Sequence, residues 1–272
     1  MPDHAAPALP SPVYVLSDAH LGVAPAEQEE LLWSFLRHCA DTAGAVVLNG
    51  DMYEFWFEWG QVVPPGGARL LAAVAGITAR GTPVVWLKGN HDCWGGEVLR
   101  TLSGAVYLDG PWTGPLAGWN SHIVHGDGLR PELDAGYRKL RAVIRHPWSV
   151  SAFRWVPPSW GMALAGTMSH TSRNVRPRDG GEGLRNVAHA LLAADRSLDL
   201  VVFGHTHMAQ LERRSSTAGI YANPGAWLDA PTFLKITPER VSLCHWDGTR
   251  DVVDASIDRD VTPAAREGGN AT

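Results

Sequence analysis

Asp18, His20, Asp51, Asn90, His125, His205 and His207 are the residues of this chain whose types and spacing could do chemistry. They fall in five short motifs, SDAH, NGD, KGNHD, HGD and GHTH, in that order. Carboxylate, carboxamide and imidazole donors together suit manganese, iron, zinc or a similar divalent ion better than calcium or a thiolate-bound zinc. Asp18 and His20 are two residues apart, as are His205 and His207, so at an extended strand end each pair points to one side. Taken singly, each residue has a plainer reading. Asp18 and Asp51 after a strand could be helix N-caps, Asn90 in a Gly-Asn turn could supply a left-handed conformation, and any one histidine is as readily a surface or core residue. His4, His38, His122, His146, His170, His189 and His245, outside the motifs, are read that way. For the motif residues the joint pattern overturns it, because five ordered motifs with no donor missing are hard to reach by chance.

Each motif lies at or just beyond a short apolar run, which identifies the elements that must position it. Val13 to Leu16, Ala45 to Leu48, Val84 to Leu87, His122 to Val124 and Leu198 to Phe203 read as buried strands. Helical spacing lies between most of them, over Ala26 to Ala40, Ala68 to Ala79 and Glu182 to Ala194. The alternation predicts an α/β fold. Sites in such sheets gather outside the carboxyl ends of strands, so five segments can converge on one crevice. Ile220 to Ala222, Phe233 to Ile236 and Val241 to His245 have no helix between them and are expected as strands in antiparallel pairing, within one mixed sheet or two.

The 272 residues, 45% hydrophobic, suffice for one sizeable core, and no composition shift marks a second domain. The expected organisation is a Pro/Ala-rich, disordered 1–12, a domain over 13–255, and a flexible 256–272; residues 131–178, basic, aromatic and broken by prolines, form a helical insertion. A net charge of −5 argues against a general polyanion binder. Cys39, Cys93 and Cys244, without C-x-x-C spacing, argue against a disulfide framework and fit a reducing compartment. With no leader-like start and no run near the ~18 apolar residues that cross a bilayer, a cytoplasmic protein is expected.

In this order, D-x-H, G-D, G-N-H-D, H-G-D and G-H-x-H resemble the calcineurin-like metallophosphoesterases. The resemblance implies a β-sandwich flanked by helices, with the helical insertion as a cap over a dinuclear metal site. It implies one metal on Asp18, His20 and His207, a second on Asn90, His125 and His205, and Asp51 bridging both. Manganese is the expected ion, with iron or zinc as alternatives. Two metals about 3.5 to 4 Å apart clamp the attacking and departing oxygens of an in-line displacement and activate a water, so no Ser or Cys nucleophile is required. His91 is the candidate general acid, its family counterpart lying near the leaving group, and Asp92 is expected to orient its ring.

The stretches SDAHLG, GDMYEFWFEW, HGDGLRPELDAGYRKLR, SHTSR, FGHTHMAQ and NPGAW are most similar to one branch, the UDP-2,3-diacylglucosamine pyrophosphohydrolases (diphosphatases) of lipid A biosynthesis. That branch implies cleavage of a UDP-linked diacylated glucosamine to UMP and 2,3-diacylglucosamine 1-phosphate, at the inner face of the cytoplasmic membrane as a peripheral protein. Asp134, Tyr137, Arg138, Arg141, Ser172 and Arg173 are the expected substrate contacts. The insertion has the matching chemistry: nine basic residues between Arg130 and Arg178 face only Glu132 and Asp134, interleaved with Trp148, Phe153, Trp155, Trp160, Met162, Leu164 and Met168. The aromatic run Phe55, Trp56, Phe57 and Trp59 is read as a second wall, or else as core. One departure stands out: the best-known members of the branch carry arginine where this chain has His91. A leaving phosphomonoester, with a second pKa of ~6, accepts either. The rivals are a nuclease of the same fold, which would stack bases on the insertion, a cyclic-nucleotide phosphodiesterase or a protein phosphatase, and a non-catalytic scaffold, whose signature would be missing ligands. No nucleic-acid partner is expected.

Overall fold

Apolar runs that are buried on both faces set the frame. The computed structural model of the chain describes residues 8–60, 62–130, 132–163, 179–215 and 219–260. β1 (Val13–Leu16), β2 (Ala45–Asn49), β3 (Val84–Leu87) and β4 (Val106–Leu108) pair in parallel, and β10 (Thr232–Ile236), β11 (Arg240–Trp246) and β12 (Asp251–Asp258) extend them antiparallel on the β1 side. A second sheet runs β5 (Trp112–Leu116), β6 (Trp119–Ile123), β7 (Leu200–Val202), β9 (Ile220–Asn223) and β8 (Gln210–Arg213). Strand alternation assigns the layers. Val13 and Val15 join Leu200, Val202, Ile220 and Ala222 between the sheets. Tyr14 and Leu16 face the other way, into the core beneath α1 (Ala26–Thr42) and α2 (Ala68–Thr78).

α1 forms because Leu32, Phe35, Leu36 and Cys39 recur at helical spacing and are all buried on that sheet. Across the sandwich the helix Glu182–Ala194 (α6 here) buries Leu184, Ala188 and Leu192 on the outer face of the second sheet, against Val201, Phe203 and Tyr221. The result is four layers, helix, sheet, sheet, helix, as expected for a flanked sandwich. The parallel strands of both sheets bring the motif loops to a common edge.

Four features differ from expectation. Leu9 is buried between the sheets and exchanges hydrogen bonds with Pro115 and Ala117, so order begins before Val13. β12 continues to Asp258 because it pairs with β11 along its length, three residues past the expected tail boundary. β9 is parallel to β7 and antiparallel to β8; its four fully buried residues fit an interior strand. β4, β5, β8 and β12 are additional strands.

The insertion is helical where described: α4 (Ala135–Ile144), α5 (Pro147–Phe153) and residues 158–163. α4 buries no residue. Polar contacts fix it: Arg141 and Arg145 donate to Asp127 at 3.2 and 3.1 Å, and the Tyr137 hydroxyl donates to the same carboxylate at 2.7 Å. α5 is anchored by Phe153, whose ring lies 4.8 Å from Phe57 and 5.9 Å from Trp59. The aromatic run is therefore the seam between body and insertion, with Trp56 and Phe57 buried. α3 (Glu97–Ser103) completes the set, its first turn capped from a distance by the Glu58 carboxylate, which accepts from Gly96, Val98 and Leu99.

Candidate metal centre

All seven expected ligands come together at the carboxyl ends of β1, β2, β3, β6 and β7. Asp18, His20 and His207 present ligand atoms within 4.8 Å of one another, as do Asp51, His125 and His205. Asn90 joins the second group, its Oδ1 3.3 Å from His125 Nε2. The groups meet where His125 Nε2 lies 4.0 Å from Asp18 Oδ1 and His20 Nε2 lies 4.0 Å from Asp51 Oδ2.

The local backbone is bent to make this meeting possible. Among the described residues, six other than glycine have positive φ, and five of them are expected ligands: Asp18, His20, Asp51, His205 and His207. Such conformations cost about 1–3 kcal/mol each and persist where surrounding contacts over-determine them. Here they are over-determined: Asp18 N–H bonds Gly50 O, His20 N–H bonds Asp51 O, and Leu21 N–H bonds Met52 O, so the first two motif loops prolong the β1–β2 ladder. Gly89 is required beside them, because a Cβ there would collide with the Asp51 carboxylate.

The donor atoms fit divalent cations. Asp18 Oδ2 accepts from Ser17 Oγ and from His205 N–H, whereas Oδ1 is buried with no hydrogen-bond partner and faces three imidazoles. His20 Nε2 is likewise buried and unpartnered. The opposite ring nitrogens are occupied. His125 Nδ1 donates to the Asn49 carbonyl at 2.8 Å, His20 Nδ1 lies 2.6 Å from Glu54 Oε2, and His207 Nδ1 lies 3.3 Å from Asp229 Oδ2. Each of these three rings therefore turns Nε2 inward, the tautomer that a metal ligand needs. Buried polar atoms without partners are rare in native proteins, and an inward-facing set of them marks a ligand site.

Electrostatics points the same way. Burial would raise the Asp18 pKa, yet His125 and His207 outweigh it and hold it at about 2. Asp51, also fully buried, is held well below the carboxylate range by His125, His91 and His20. Against burial, Asp51 and Asp18 push His125 well up, and Asp18 and Asp229 raise His207 to about 10. Burial and His125 together depress His205 to about 4. The two carboxylates thus demand positive charge, which protons supply and which divalent cations supply in their place, displacing those protons.

His91, the expected general acid, lies beside His20. Its Nδ1 donates to the Glu54 carbonyl at 3.0 Å, and its ring meets that of His20 edge-on at 4.8 Å. Asp92 does not orient it. The Asp92 carboxylate is fully buried and accepts the N–H groups of Asp51, Met52 and Gly89, so it clamps the second and third motif loops together. Chain adjacency suggested a partner for His91 that the fold turns the other way.

Glu54 and Asp229 are the functional residues that motif reading missed. Glu54 touches His20 through its carboxylate and His91 through its carbonyl. The signal was its place three residues after Asp51, since the prolonged ladder lays that position beside the D-x-H loop. Glu54→Gln preserves size and removes the anion that fixes the His20 tautomer. We expect metal affinity and turnover to fall about 10–100-fold, as for other carboxylates behind metal-bound histidines, measured by chelator competition and kinetics. Wild-type metal affinity in this variant would refute the assignment.

The expected substrate contacts divide. Asp134 is taken by Arg130, which bonds it through Nε and Nη2 at 3.1 and 2.7 Å. Tyr137 and Arg141 are turned onto Asp127. Arg138 is exposed. Ser172 and Arg173 lie outside the described residues.

A sandwich of two mixed sheets with a buried His/Asp cluster at the strand ends defines a metal-dependent phosphoesterase. A family profile described as calcineurin-like phosphoesterase matches residues 11–209, and the chain belongs to that family. A Porphyromonas gingivalis protein named UDP-2,3-diacylglucosamine hydrolase is 31% identical over 222 residues, 73% of this chain and 84% of that protein. A Salmonella dublin protein of the same name is 27% identical over 236 residues, 84% of this chain and 96% of its own. Vacuolar Protein Sorting 29 from Cryptosporidium parvum aligns over 90% of this chain and 96% of its own, at 14% identity and a TM-score of 0.45. Among the described residues no helix is long and apolar enough to cross a membrane.

Proposed function

We propose that this protein cleaves the pyrophosphate of a UDP-linked diacylated glucosamine, giving UMP and the lipid monosaccharide phosphate, with manganese as its metal. The observation that carries the reading is the exposed surface of the insertion. Trp148, Trp155 and Trp160 are 82%, 88% and 73% exposed on the insertion, in the same stretch of chain as the cations of α4 and Arg154. Exposed tryptophans among cations suit an acylated substrate or the interface of an anionic membrane. The name shared by the Porphyromonas gingivalis and Salmonella dublin relatives supports the same substrate.

Bound at the seven ligands, two divalent ions would hold the phosphoryl oxygens and activate a water for in-line attack. The chain's own part is positional. Asp51 stands between the two ligand groups, Glu54 and Asp229 fix the rings of His20 and His207, and His91, braced by the Glu54 carbonyl, is placed to hold a proton or a phosphate oxygen at the leaving group. An imidazole there also suits a poor alkoxide leaving group, which favours a phosphodiester as the second reading.

The test presents manganese-loaded protein with UDP-2,3-diacylglucosamine in anionic vesicles, beside bis-p-nitrophenyl phosphate and a nucleic acid. UMP release from the lipid is expected, with a lower rate and weaker vesicle flotation when Trp148, Trp155 and Trp160 are all changed to serine. Turnover of the generic ester or nucleic acid alone would overturn the proposal.

A further inference from the structure

Beyond the metal centre, a cavity of about 640 Å³ opens where the edge strands β4 and β5 part, with α4 along one wall. Its lining includes Lys88, Arg138, Arg141 and Arg145, with Asp109 and Asp127 as the carboxylates, and none of the seven ligand residues. We propose that this cavity is a second anion site, one that binds a phosphomonoester such as the phosphate of a nucleoside monophosphate.

Charge is the first argument. Four cations face two carboxylates. One oxygen of Asp127 serves both Arg141 and Arg145, at 3.2 and 3.1 Å, and also accepts from Tyr137, so a single negative charge is shared between two guanidinium groups. Lys88 is paired with Asp109, whose side chain is 77% exposed and free to turn outward, whereas that of Lys88 is only 14% exposed. Arg138 makes no ion pair with a carboxylate among the described residues. Like charges gathered at a partly dry wall repel, and a dianion among them relieves that repulsion while accepting from donors already in place.

Construction is the second argument. Two of these cations are held and not merely nearby. Arg141 Nη1 donates to Asp127 O at 2.9 Å and Arg145 Nη2 to Gly89 O at 3.1 Å, which ties α4 to the third and fourth motif loops. Gly128, at φ +76°, allows the close approach, since a Cβ there would lie 3.1 Å from Arg141 Nη1. Size is the third. The volume exceeds that of a phosphate and falls within the ~300–1,000 Å³ usual for small-molecule sites. Pro111, Val124 and Leu129 add an apolar surface on which a sugar or base can rest.

This inference stands apart from the UDP-lipid reading, because it needs only a phosphate-bearing ligand. The test is equilibrium dialysis of the manganese-loaded full chain against labelled inorganic phosphate and, separately, UMP. Two classes of site are expected: one lost with the metal in Asp51→Asn, the other weakened at least about tenfold in Lys88→Gln with Arg138→Gln, at unchanged metal content. Arg138→Gln alone, at an exposed position, keeps the test open should the pair fold poorly. UMP binding more tightly than phosphate would name a nucleotide as the ligand, and equal binding would name the phosphate group alone. A single class lost with Asp51→Asn, or a second class untouched by the cavity variants, would overturn the proposal.

Discussion

Asp51→Ala is expected to lose bound metal and to lower phosphodiesterase activity by at least about a thousandfold, the scale of removing a principal electrostatic element from an active site. The expectation rests on position. Asp51 is buried between the two ligand groups, its Oδ2 3.2 Å from His125 Nε2 and 4.0 Å from His20 Nε2, and its Oδ1 accepts the His91 N–H at 2.8 Å. Among the described residues it is the one carboxylate that reaches both groups and the loop of the candidate acid. Without it, the inward-turned imidazoles have less negative charge to hold cations against. Alanine also loses conformational fit, because Asp51 sits at φ 53°, so Asp51→Asn is the informative companion. Asparagine tolerates the left-handed region and keeps the size. Loss of metal in both variants, by elemental analysis of folded protein, assigns the effect to the charge. Unchanged phosphodiesterase activity in either would sink the mechanism.

His91→Ala should separate catalysis from metal binding. Its ring is braced by the Glu54 carbonyl and packs against His20. Truncation should leave metal content intact and lower turnover about 10²–10⁴-fold, the range for removing a general acid. His91→Arg, which installs the residue of the best-known pyrophosphohydrolases, sharpens the result. A guanidinium holds a phosphate oxygen but gives up no proton. The variant should therefore retain pyrophosphate cleavage better than cleavage of an alkyl phosphodiester. Loss of metal in His91→Ala would make the residue a ligand instead.

The candidate ligands were legible in the sequence because each lies at or just beyond a strand that announces itself. β1, β2 and β3 are continuous buried runs, which parallel pairing requires. β5 was hidden by Gly114 and Pro115, which argue locally against a strand and are tolerated at the edge of its sheet. β12, another edge, is too polar to show an apolar pattern. In the site itself, what was missed depends on contacts across loops. Glu54 and Asp229 act on histidines far from them in sequence, and Asp92 turns from its neighbour toward the backbone N–H groups of Asp51 and Met52 in another loop and of Gly89 in its own. The insertion showed its charge but not its use: Arg141 and Arg145 fasten α4 to Asp127, which composition alone could not distinguish from substrate binding.

The left-handed backbone at Asp18, His20, Asp51, His205 and His207 sets a limit on how this protein can change. Selection for folding stability alone would favour glycine or asparagine at all five positions, where those residues adopt the same angles at lower cost. Each such exchange would also delete a donor or its negative charge. The centre is thus kept at a standing cost to the fold, and variants that gain thermal tolerance through these loops would be those that have given up the metals.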